Sequence, residues 1–357
     1  MNPTSIIKNP KIWVGRLTLL IVSILVFFVL GEIIIRLLVP IEPPSPAMFQ
    51  RLPISPRLIG LIPGFGSKDT IVKINSKGFR DREYHEEKSE NTLRIAGLGD
   101  SFTFGGGVKT EDTYLKQLEK MLNSKSSSKP VEVLNMGVPG YNTYQELILL
   151  KEVGLNYKPD LVIVGFVLND VDLLDPDLLA SEEIERPRQP VDEVVGDSKP
   201  KIFKLYKFIK GKSQFFYFIL FRLSALVKKF DLPVTTEATY YRDAYHEHNK
   251  GWQIAKKSLK EIAALGKIKN FQVLVVIFPF FANLDDSYLW SDAHLQIESF
   301  CKSQDIQVVD LLPYFKGYRP STLWVSLIDS HPNTKAHQIA AEAIYEEIVR
   351  NNLLNKM

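Results

Sequence analysis

Long apolar runs that alternate with segments of helical spacing constrain the fold of this chain more than any other feature. The run from Leu161 to Val167 reads LVIVGFV and offers no polar position on either face of a strand. Strands of this kind are covered on both sides, as in a parallel sheet with a helical layer on each face. Similar strands are predicted at Leu93–Leu98, Val131–Met136, Phe271–Phe278 and Gln307–Asp310. The chain is therefore expected to adopt an α/β fold.

Segments with helical character fill the gaps between these strands. Apolar residues recur in them at the three- and four-residue spacing of one helix face. The predicted helices are Thr113–Ser124, Tyr144–Tyr157, Gln253–Leu265, Asp292–Ser303 and Thr334–Asn351. Their alternation with the strands supports the parallel arrangement of the sheet.

A membrane-spanning helix is predicted close to the amino terminus. Leu17–Val39 is overwhelmingly apolar, and a helix of this length, at about 1.5 Å per residue, crosses a hydrocarbon core of about 30 Å. Glu32 and Arg36 interrupt the run four positions apart, where they can pair on one helix face. The run is too long for a signal-peptide core, so we expect it to be retained.

The charges around this helix predict its orientation. The residues before it include basic but no acidic side chains: Lys8, Lys11 and Arg16. Because basic residues concentrate on the cytoplasmic side, this pattern favours a cytoplasmic amino terminus and an extracytoplasmic body. The chain is thus expected to be a single-pass membrane protein.

The predicted organisation has three parts. Residues 1–40 form the membrane anchor, 41–92 a lead-in segment, and 93–357 the α/β domain with an insertion at 176–250. The charged stretch Arg80–Glu90 at the end of the lead-in predicts a solvated link.

The insertion combines basic and aromatic residues. From Lys199 to Lys229 it carries Lys and Arg side chains without an acidic one, interleaved with Phe and Tyr. This composition suits a helix on an anionic membrane surface, or a lid over an apolar acyl site. A helical insertion packed on the core with a solvated lysine face fits equally well. The net charge of +3 gives RNA binding no support, and no nucleic-acid partner is expected.

A serine follows the first predicted strand of the sheet. The Gly-Asp-Ser sequence at 99–101 forces a sharp turn at the carboxyl end of that strand and raises Ser101 into the crevice where open α/β sheets bind ligands. Two phosphate-binding motifs fail at this loop. Phe102 stands where a dinucleotide fingerprint needs its third glycine, and Lys109 is not preceded by the glycine that a P-loop requires.

Two further turns lie at carboxyl ends of predicted strands. Asn135–Gly140 follows the second strand and Leu168–Asp170 follows the third. Because parallel strands end at one rim, Gly140 and Asn169 are expected near Ser101.

An acidic residue and a histidine lie two positions apart shortly before the last helix. Asp329 and His331 are predicted in a loop, where an extended backbone directs both side chains to one side. The carboxylate can then bind one imidazole nitrogen while the other faces outward. Taken alone, Asp329 could equally cap the helix and His331 lie on the surface. The single Cys301 excludes an intrachain disulfide, and His246 and His248 lack the supporting residues of a metal site.

Taken together, these segments resemble the SGNH (GDSL-type) hydrolase family. The resemblance runs from about Leu93 to the end of the chain, apart from the insertion. It rests on four blocks in the expected order: Gly99–Ser101, Asn135–Gly140, Leu168–Asp170 and Asp329–Pro332. It implies a three-layer α/β/α, flavodoxin-like sandwich with a mostly parallel five-stranded sheet, accompanied here by the transmembrane helix and the helical insertion.

The resemblance also implies roles for five residues. Ser101 corresponds to the nucleophile, Asp329 and His331 to the other triad members, and Gly140 and Asn169 to the oxyanion-hole donors. Gly137 competes with Gly140 for its role. Two positions depart from the family pattern, since Ile328 stands where an aspartate is usual and Val167 where glycine is frequent.

These residues predict acyl-transfer chemistry at a serine. A neighbouring imidazole can accept the proton of a serine hydroxyl near neutral pH, and no cofactor or metal is required. The expected function is a membrane-anchored serine hydrolase that cleaves carboxylic esters, either O-acetyl or acyl esters of a polysaccharide or lipid, through an acyl-serine intermediate. An O-acyltransferase that uses the same serine and a catalytically silent membrane-tethered binding module are the alternatives. The expected partners are the ester substrate and the membrane, contacted through the anchor and the basic aromatic insertion.

Overall fold

The computed structural model describes residues 10–38, 49–52, 55–61, 72–125, 129–172, 213, 215, 219, 236–326 and 329–354. The chain divides into two compact units, one of residues 1–43 and 191–233 and the other of residues 44–190 and 234–357. Most of the predicted insertion, the start of the lead-in and Ile328 lie outside the described residues. The predicted domain boundaries stay a prediction.

A five-stranded parallel sheet forms the centre of the larger unit. Two short strands of the lead-in, β1 (Phe49–Leu52) and β2 (Ser55–Leu61), pair separately as an antiparallel hairpin. The sheet strands are β3 (Leu93–Gly99), β4 (Val131–Asn135), β5 (Leu161–Val167), β6 (Gln272–Phe278) and β7 (Gln307–Asp310). Their order is β4-β3-β5-β6-β7, and every neighbouring pair is parallel. This is the flavodoxin-like order, so the predicted fold class and all five strands are confirmed.

Helices cover both faces of this sheet. Among the described residues the α-helices are, in chain order, α1 (Pro10–Leu38), which belongs to the smaller unit, α2 (Ser101–Phe104), α3 (Tyr114–Lys125), α4 (Thr143–Glu152), α5 (Thr236–Asp243), α6 (Lys250–Lys269), α7 (Ser291–Ser303), α8 (Leu312–Phe315) and α9 (Thr334–Arg350). Helices α3 and α9 pack against each other on one face, and α4, α6 and α7 lie on the other. The predicted helix Tyr144–Tyr157 is shorter, because α4 ends at Glu152 and a separate 3-10 turn follows at Gly154–Tyr157.

The uninterrupted apolar runs form the core. Every residue of β5 is buried, as is every residue of β6 after Gln272. The single cysteine, Cys301, is also fully buried in α7. The apolar character that predicted strands covered on both sides therefore reflects their position in the middle of three layers.

The end of the lead-in is exposed at most positions from Arg82 to Glu90, as its charges predicted, but it is not a solvated link throughout. Arg80 is completely buried, and Asp81 and Tyr84 are buried as well. The carboxylate of Asp81 accepts a hydrogen bond from the backbone N–H of Asn135 at 2.9 Å, and it lies 3.2 Å from the ammonium of Lys116. Charged side chains can be buried when they find such partners, which composition alone does not reveal.

The smaller unit contains the apolar helix α1. Its segment Trp13–Leu37 contains a window of 18 residues with a mean hydropathy of 2.8, and among the described residues it is the one helix long and apolar enough to cross a membrane. The predicted pair exists, with Arg36 Nε 2.7 Å from Glu32 Oε1. The other oxygen of Glu32 accepts hydrogen bonds from the Ser213 hydroxyl at 2.8 Å and from the Phe215 N–H at 3.0 Å.

Candidate active site

The turn after β3 presents Ser101 at the first position of a one-turn helix. Gly99 has a φ of 153°, and a Cβ at this position would lie 2.0 Å from the hydroxyl oxygen of Thr103. Only glycine fits there, because the backbone and the close neighbour both exclude a side chain. Asp100 caps helix α2 by accepting the N–H of Phe102 at 2.8 Å. The turn thus fixes the direction in which Ser101 leaves the strand.

A hydrogen-bonded chain joins Ser101 to His331 and Asp329. The hydroxyl oxygen of Ser101 lies 2.9 Å from His331 Nε2, and His331 Nδ1 lies 2.6 Å from Asp329 Oδ1. Asp329 Oδ1 also accepts the backbone N–H of His331 at 3.0 Å. The short spacing in sequence therefore brings the carboxylate and imidazole together, as the extended-backbone argument predicted.

The local backbone around these two residues is a strand instead of the predicted loop. Asp329–Pro332 forms β9, which pairs with β8 (Trp324–Ser326) in a two-stranded antiparallel hairpin. Asp329 does not cap the following helix, because the Asn333 side chain accepts the N–H of Ala336 in that position.

The pKa values of His331 and Asp329 are both shifted from their ordinary values. Burial alone would lower the pKa of His331, but its hydrogen bond to Asp329 and the carboxylate charge outweigh burial and raise that pKa. Burial alone would raise the pKa of Asp329, yet the interaction with His331 outweighs it and lowers that pKa. The pair therefore favours an ionised carboxylate beside an imidazole that binds a proton more readily than usual.

Asn169 is connected to Ser101 through Asp100. It lies in a 3-10 turn, Leu168–Val171, directly after β5. Its amide nitrogen donates to Asp100 Oδ2 at 3.1 Å, and the same carboxylate oxygen lies 3.4 Å from the Ser101 hydroxyl. The amide oxygen of Asn169 is buried and has no hydrogen-bond partner among the described residues. Asp100 thus orients the amide so that its nitrogen is on the side of Ser101.

The two glycines in the turn after β4, Gly137 and Gly140, differ in their hydrogen bonds and backbone conformation. The N–H of Gly137 donates to the side chain of Asn135 at 3.0 Å, and a Cβ at Gly137 would lie 2.4 Å from the backbone nitrogen of Phe104. Gly140 has a φ of 86°. Within the described part of the chain, no hydrogen bond joins Gly140 to the other four predicted site residues.

Two buried carboxyl groups near Asp100 were not singled out from the sequence. Glu146 is fully buried, and neither of its carboxyl oxygens has a hydrogen-bond partner among the described residues. Asp170 is also buried, and one of its oxygens accepts the hydroxyl of Thr143 at 3.0 Å. Burial, followed by the charges of neighbouring carboxylates, raises the pKa of both groups well above the ordinary range. The only sequence signal was an Asp next to Asn169 and a Glu directly before the apolar run Leu147–Leu150.

The described residues contain no group of three or more His, Cys, Asp or Glu side chains suited to hold a metal ion. His246 and His248 are exposed, with stacked rings whose centroids lie 5.8 Å apart.

The model of the GDSL-like Lipase/Acylhydrolase family matches residues 98–339, which is more than half of the chain and includes all five predicted site residues. The chain belongs to this family. The GDSL-like assignment makes it a serine ester hydrolase, and the predicted resemblance is confirmed at the level of the family.

Several solved structures are similar to this GDSL-like chain. LAE5, an alpha/beta hydrolase enzyme from the metagenome of Lake Arreo in Spain, is 16% identical, covers 74% of this chain and 97% of its own, and has a TM-score of 0.44. A catalytic mutant of Axe2, an acetylxylan esterase from Geobacillus stearothermophilus, is 14% identical over 72% of this chain and 94% of its own, with a TM-score of 0.43. TesA is 14% identical over 72% of this chain and 98% of its own, with a TM-score of 0.42. No curated protein sequence matches the chain.

Proposed function

We propose that Ser101 is the nucleophile of this ester hydrolase, with His331 as its general base and Asp329 as the group that orients the base. The observation that carries this proposal is the continuous hydrogen-bonded chain, with 2.9 Å from Ser101 to His331 and 2.6 Å from His331 to Asp329. In this arrangement Nε2 removes the hydroxyl proton while Oγ attacks the ester carbonyl carbon. Asp329 holds Nδ1–H and thereby fixes the tautomer that leaves Nε2 free to accept.

The two half-reactions use the same proton carrier. After the attack, protonated His331 gives its proton to the leaving alcohol as the ester C–O bond breaks, and an acyl-Ser101 intermediate remains. Water then attacks the acyl carbon while His331 accepts a water proton. As the second tetrahedral intermediate breaks its bond to Oγ, His331 returns this proton to Ser101 and the acid is released. Two altered pKa values support this cycle, because both the ionised Asp329 and the raised pKa of His331 favour transient imidazolium formation.

We further propose that the oxyanion is stabilised by the N–H groups of Ser101 and Gly140 and by the amide of Asn169. Asp100 uses one proton of the Asn169 amide, which leaves the second for the oxyanion. Gly140 is a better candidate than Gly137, because the N–H of Gly137 is already bound to Asn135. Each such donor contributes typically about 10²- to 10³-fold to turnover.

A fluorophosphonate probe tests the nucleophile, because it phosphonylates only an activated serine. The wild-type chain is expected to be labelled once, at Ser101, with Ser101→Ala unlabelled and Ser291→Ala, which removes a serine at the start of α7, labelled like wild type. A folded wild-type chain that stays unlabelled, while a known serine esterase reacts, would support the catalytically silent binding module and refute the proposal.

We propose O-acetyl or acyl esters of a polysaccharide or lipid as substrates. Membership of an acylhydrolase family supports an acyl ester, and a panel of esters with graded acyl length distinguishes the two classes. A preference for acetate supports the carbohydrate ester, and a rate that rises with chain length supports the lipid. Transfer of the acyl group to a sugar hydroxyl without net hydrolysis would instead identify an acyltransferase.

We also propose that α1 anchors the enzyme in a membrane, with an extracytoplasmic catalytic domain. The apolar side chains along Trp13–Leu37 support this, since nearly all of them are exposed instead of packed against other residues. Phe215, from the predicted insertion, adds support for a membrane role of that segment. Its ring contacts Phe27 and Phe28 of α1, with centroid separations of 5.4 and 5.8 Å.

Variants with one introduced cysteine test this topology, because the native Cys301 is buried and therefore shielded from reagents. A membrane-impermeant maleimide added to intact cells is expected to modify Ser89→Cys, at an exposed position of the lead-in next to the catalytic domain, and to spare Ser5→Cys in the amino-terminal segment. If the reagent modified only Ser5→Cys, the result would indicate the opposite orientation in the membrane. Release of the chain by salt or alkali would contradict the anchor itself.

A further inference from the structure

Arg80 is a fully buried arginine of the lead-in that binds the loop following Ser101. Its guanidinium donates from Nη1 to the carbonyl oxygens of Phe104, at 2.7 Å, and Gly105, and from Nη2 to the carbonyl oxygen of Val108. The centre of the guanidinium also lies 4.9 Å from the centre of the Phe104 ring. A single side chain therefore holds three backbone acceptors of the segment 104–108.

Two of these acceptors belong to the carboxyl end of the helix that carries the proposed nucleophile. Helix α2 consists of one turn, Ser101–Phe104, and Gly105 is its left-handed carboxyl cap with a φ of 76°. The last carbonyl groups of a helix lack partners within the helix, and a cation at that end also interacts favourably with the helix dipole. Asp100 caps the opposite end. The nucleophile turn is thus held at its start by a carboxyl group and at its end by a guanidinium.

The same loop touches the hairpin that carries the proposed base. A Cβ placed on Gly107 would lie 2.5 Å from the side chain of Val325, so the loop backbone packs directly against β8. Strand β8 pairs with β9, which contains Asp329 and His331. Arg80 therefore binds the segment that lies between the nucleophile helix and the hairpin.

The shape and charge of the Arg80 side chain suit it to bind several backbone carbonyl oxygens at once. The guanidinium offers five N–H donors in a planar fork, whereas the ammonium of lysine is a compact point charge. Burial lowers the pKa of Arg80 to about 10, so the side chain stays protonated at neutral pH.

We propose that Arg80 is a positioning residue of the hydrolytic site, which fixes the Gly105–Val108 loop and thereby the separation between Ser101 and His331. This inference rests on the roles proposed above for Ser101 and His331. A misplacement of about 1 Å in such a pair can slow the reaction about 100-fold.

The test compares Ser101 reactivity with folding in the full-length chain in detergent. Second-order rates of fluorophosphonate labelling and thermal unfolding by circular dichroism are measured for wild type, Arg80→Ala, Arg80→Lys and Arg82→Ala. Arg82 is the matched control, because it is the same residue type two positions away and pairs with Glu119 at 2.8 and 2.9 Å instead of with the loop.

Arg80→Ala is expected to remain folded at the assay temperature and to label about 100-fold more slowly than wild type. Arg80→Lys should be intermediate, and Arg82→Ala should label at the wild-type rate. Millimolar guanidinium is expected to restore part of the rate in Arg80→Ala, whereas neutral urea at the same concentration should not.

The possible contrary results are distinct. A folded Arg80→Ala that labels at the wild-type rate overturns the inference. So does a loss of labelling that follows the loss of folded protein in both Arg80 variants, because that result assigns Arg80 a purely stabilising role. An unlabelled wild type refutes the proposed function itself, and the positioning role with it.

Discussion

Replacing Asp329 by asparagine should lower the pKa of His331 and slow the reaction, and both effects follow from the geometry of the pair. His331 Nδ1 and Asp329 Oδ1 lie 2.6 Å apart, and the two side chains are 40% and 30% exposed. Two unit charges about 4 Å apart interact by about 4 kcal/mol at an effective dielectric constant of about 20. Both groups are partly exposed, and solvent screening lowers the interaction toward the roughly 0.2 to 1 kcal/mol that is typical of exposed ion pairs. Loss of the carboxylate removes both the charge and the short hydrogen bond that raise the pKa of His331, so this pKa should fall.

The direction of the effect on activity follows from the proposed role of His331. Only the neutral imidazole can accept the Ser101 proton, so kcat/KM rises with pH through the His331 pKa of the free enzyme. In wild type this inflection should lie above about 6.5, because Asp329 raises the pKa of His331. In Asp329→Asn the inflection should move to lower pH, while the plateau falls by about 10⁴-fold because the tautomer is no longer fixed.

The assay is kcat/KM for a neutral activated ester across the pH range in which both variants remain folded. Asp310→Asn is the matched control, because Asp310 binds the buried His294 at 2.8 Å and that pair makes no hydrogen bond to Ser101 within the described residues. An inflection that stays in place or moves to higher pH in Asp329→Asn would refute the electrostatic reasoning. An equal shift in Asp310→Asn would do the same.

Three further substitutions have expected outcomes. Asn169→Ala should reduce kcat by about 10²- to 10³-fold with little change in KM, because an oxyanion donor acts in the transition state; a change confined to KM would contradict this role. Asp100→Asn keeps a good helix cap but turns an amide nitrogen toward the Asn169 donor at 3.1 Å, so kcat should fall by about 10²-fold with nearly unchanged Tm. Gly105→Ala should lower the unfolding free energy by about 2 to 3 kcal/mol in thermal denaturation, since its φ is 76° and the new methyl would meet Thr113 at 2.5 Å. Gly317→Ala, at a φ of 84° with open space around it, should lose only about 1 kcal/mol, and equal losses at both glycines would contradict the steric explanation.

The features that were predictable from the sequence are those set by local pattern. The central strand Leu161–Val167 was predicted with its observed bounds, because apolar residues on both faces have one common explanation in a chain of alternating helices and strands. The proximity of Asp329 and His331 was also predictable from local pattern, because residues two positions apart in an extended segment project to the same side. The hydrogen bond between Ser101 and His331 required the family resemblance, because it joins positions 230 residues apart.

The features that were missed depend on tertiary partners. Arg80 was expected in solvent because its neighbours in sequence are charged, yet its acceptors are backbone carbonyl groups more than twenty residues away. Every residue has a backbone carbonyl group, so the sequence does not indicate which of these groups will accept a hydrogen bond from Arg80. Similarly, the pairing of Asp329–Pro332 with Trp324–Ser326 joins strands too short to be recognised by alternation. The acidic cluster of Glu146 and Asp170 escaped notice because one member lies in a helix and the other after a strand.

The hairpin of β8 and β9 has a consequence for how this enzyme loses activity. It carries Asp329 and His331 of the proposed triad on the four-residue strand β9, which pairs only with the three-residue strand β8 among the described residues, whereas Ser101 follows a strand inside the five-stranded sheet. Short, half-exposed elements open at a smaller free energy than the core around them. Inactivation by denaturant is therefore expected to precede melting of the sheet, and dilution should return turnover quickly, since a hairpin has only to close again on an intact scaffold.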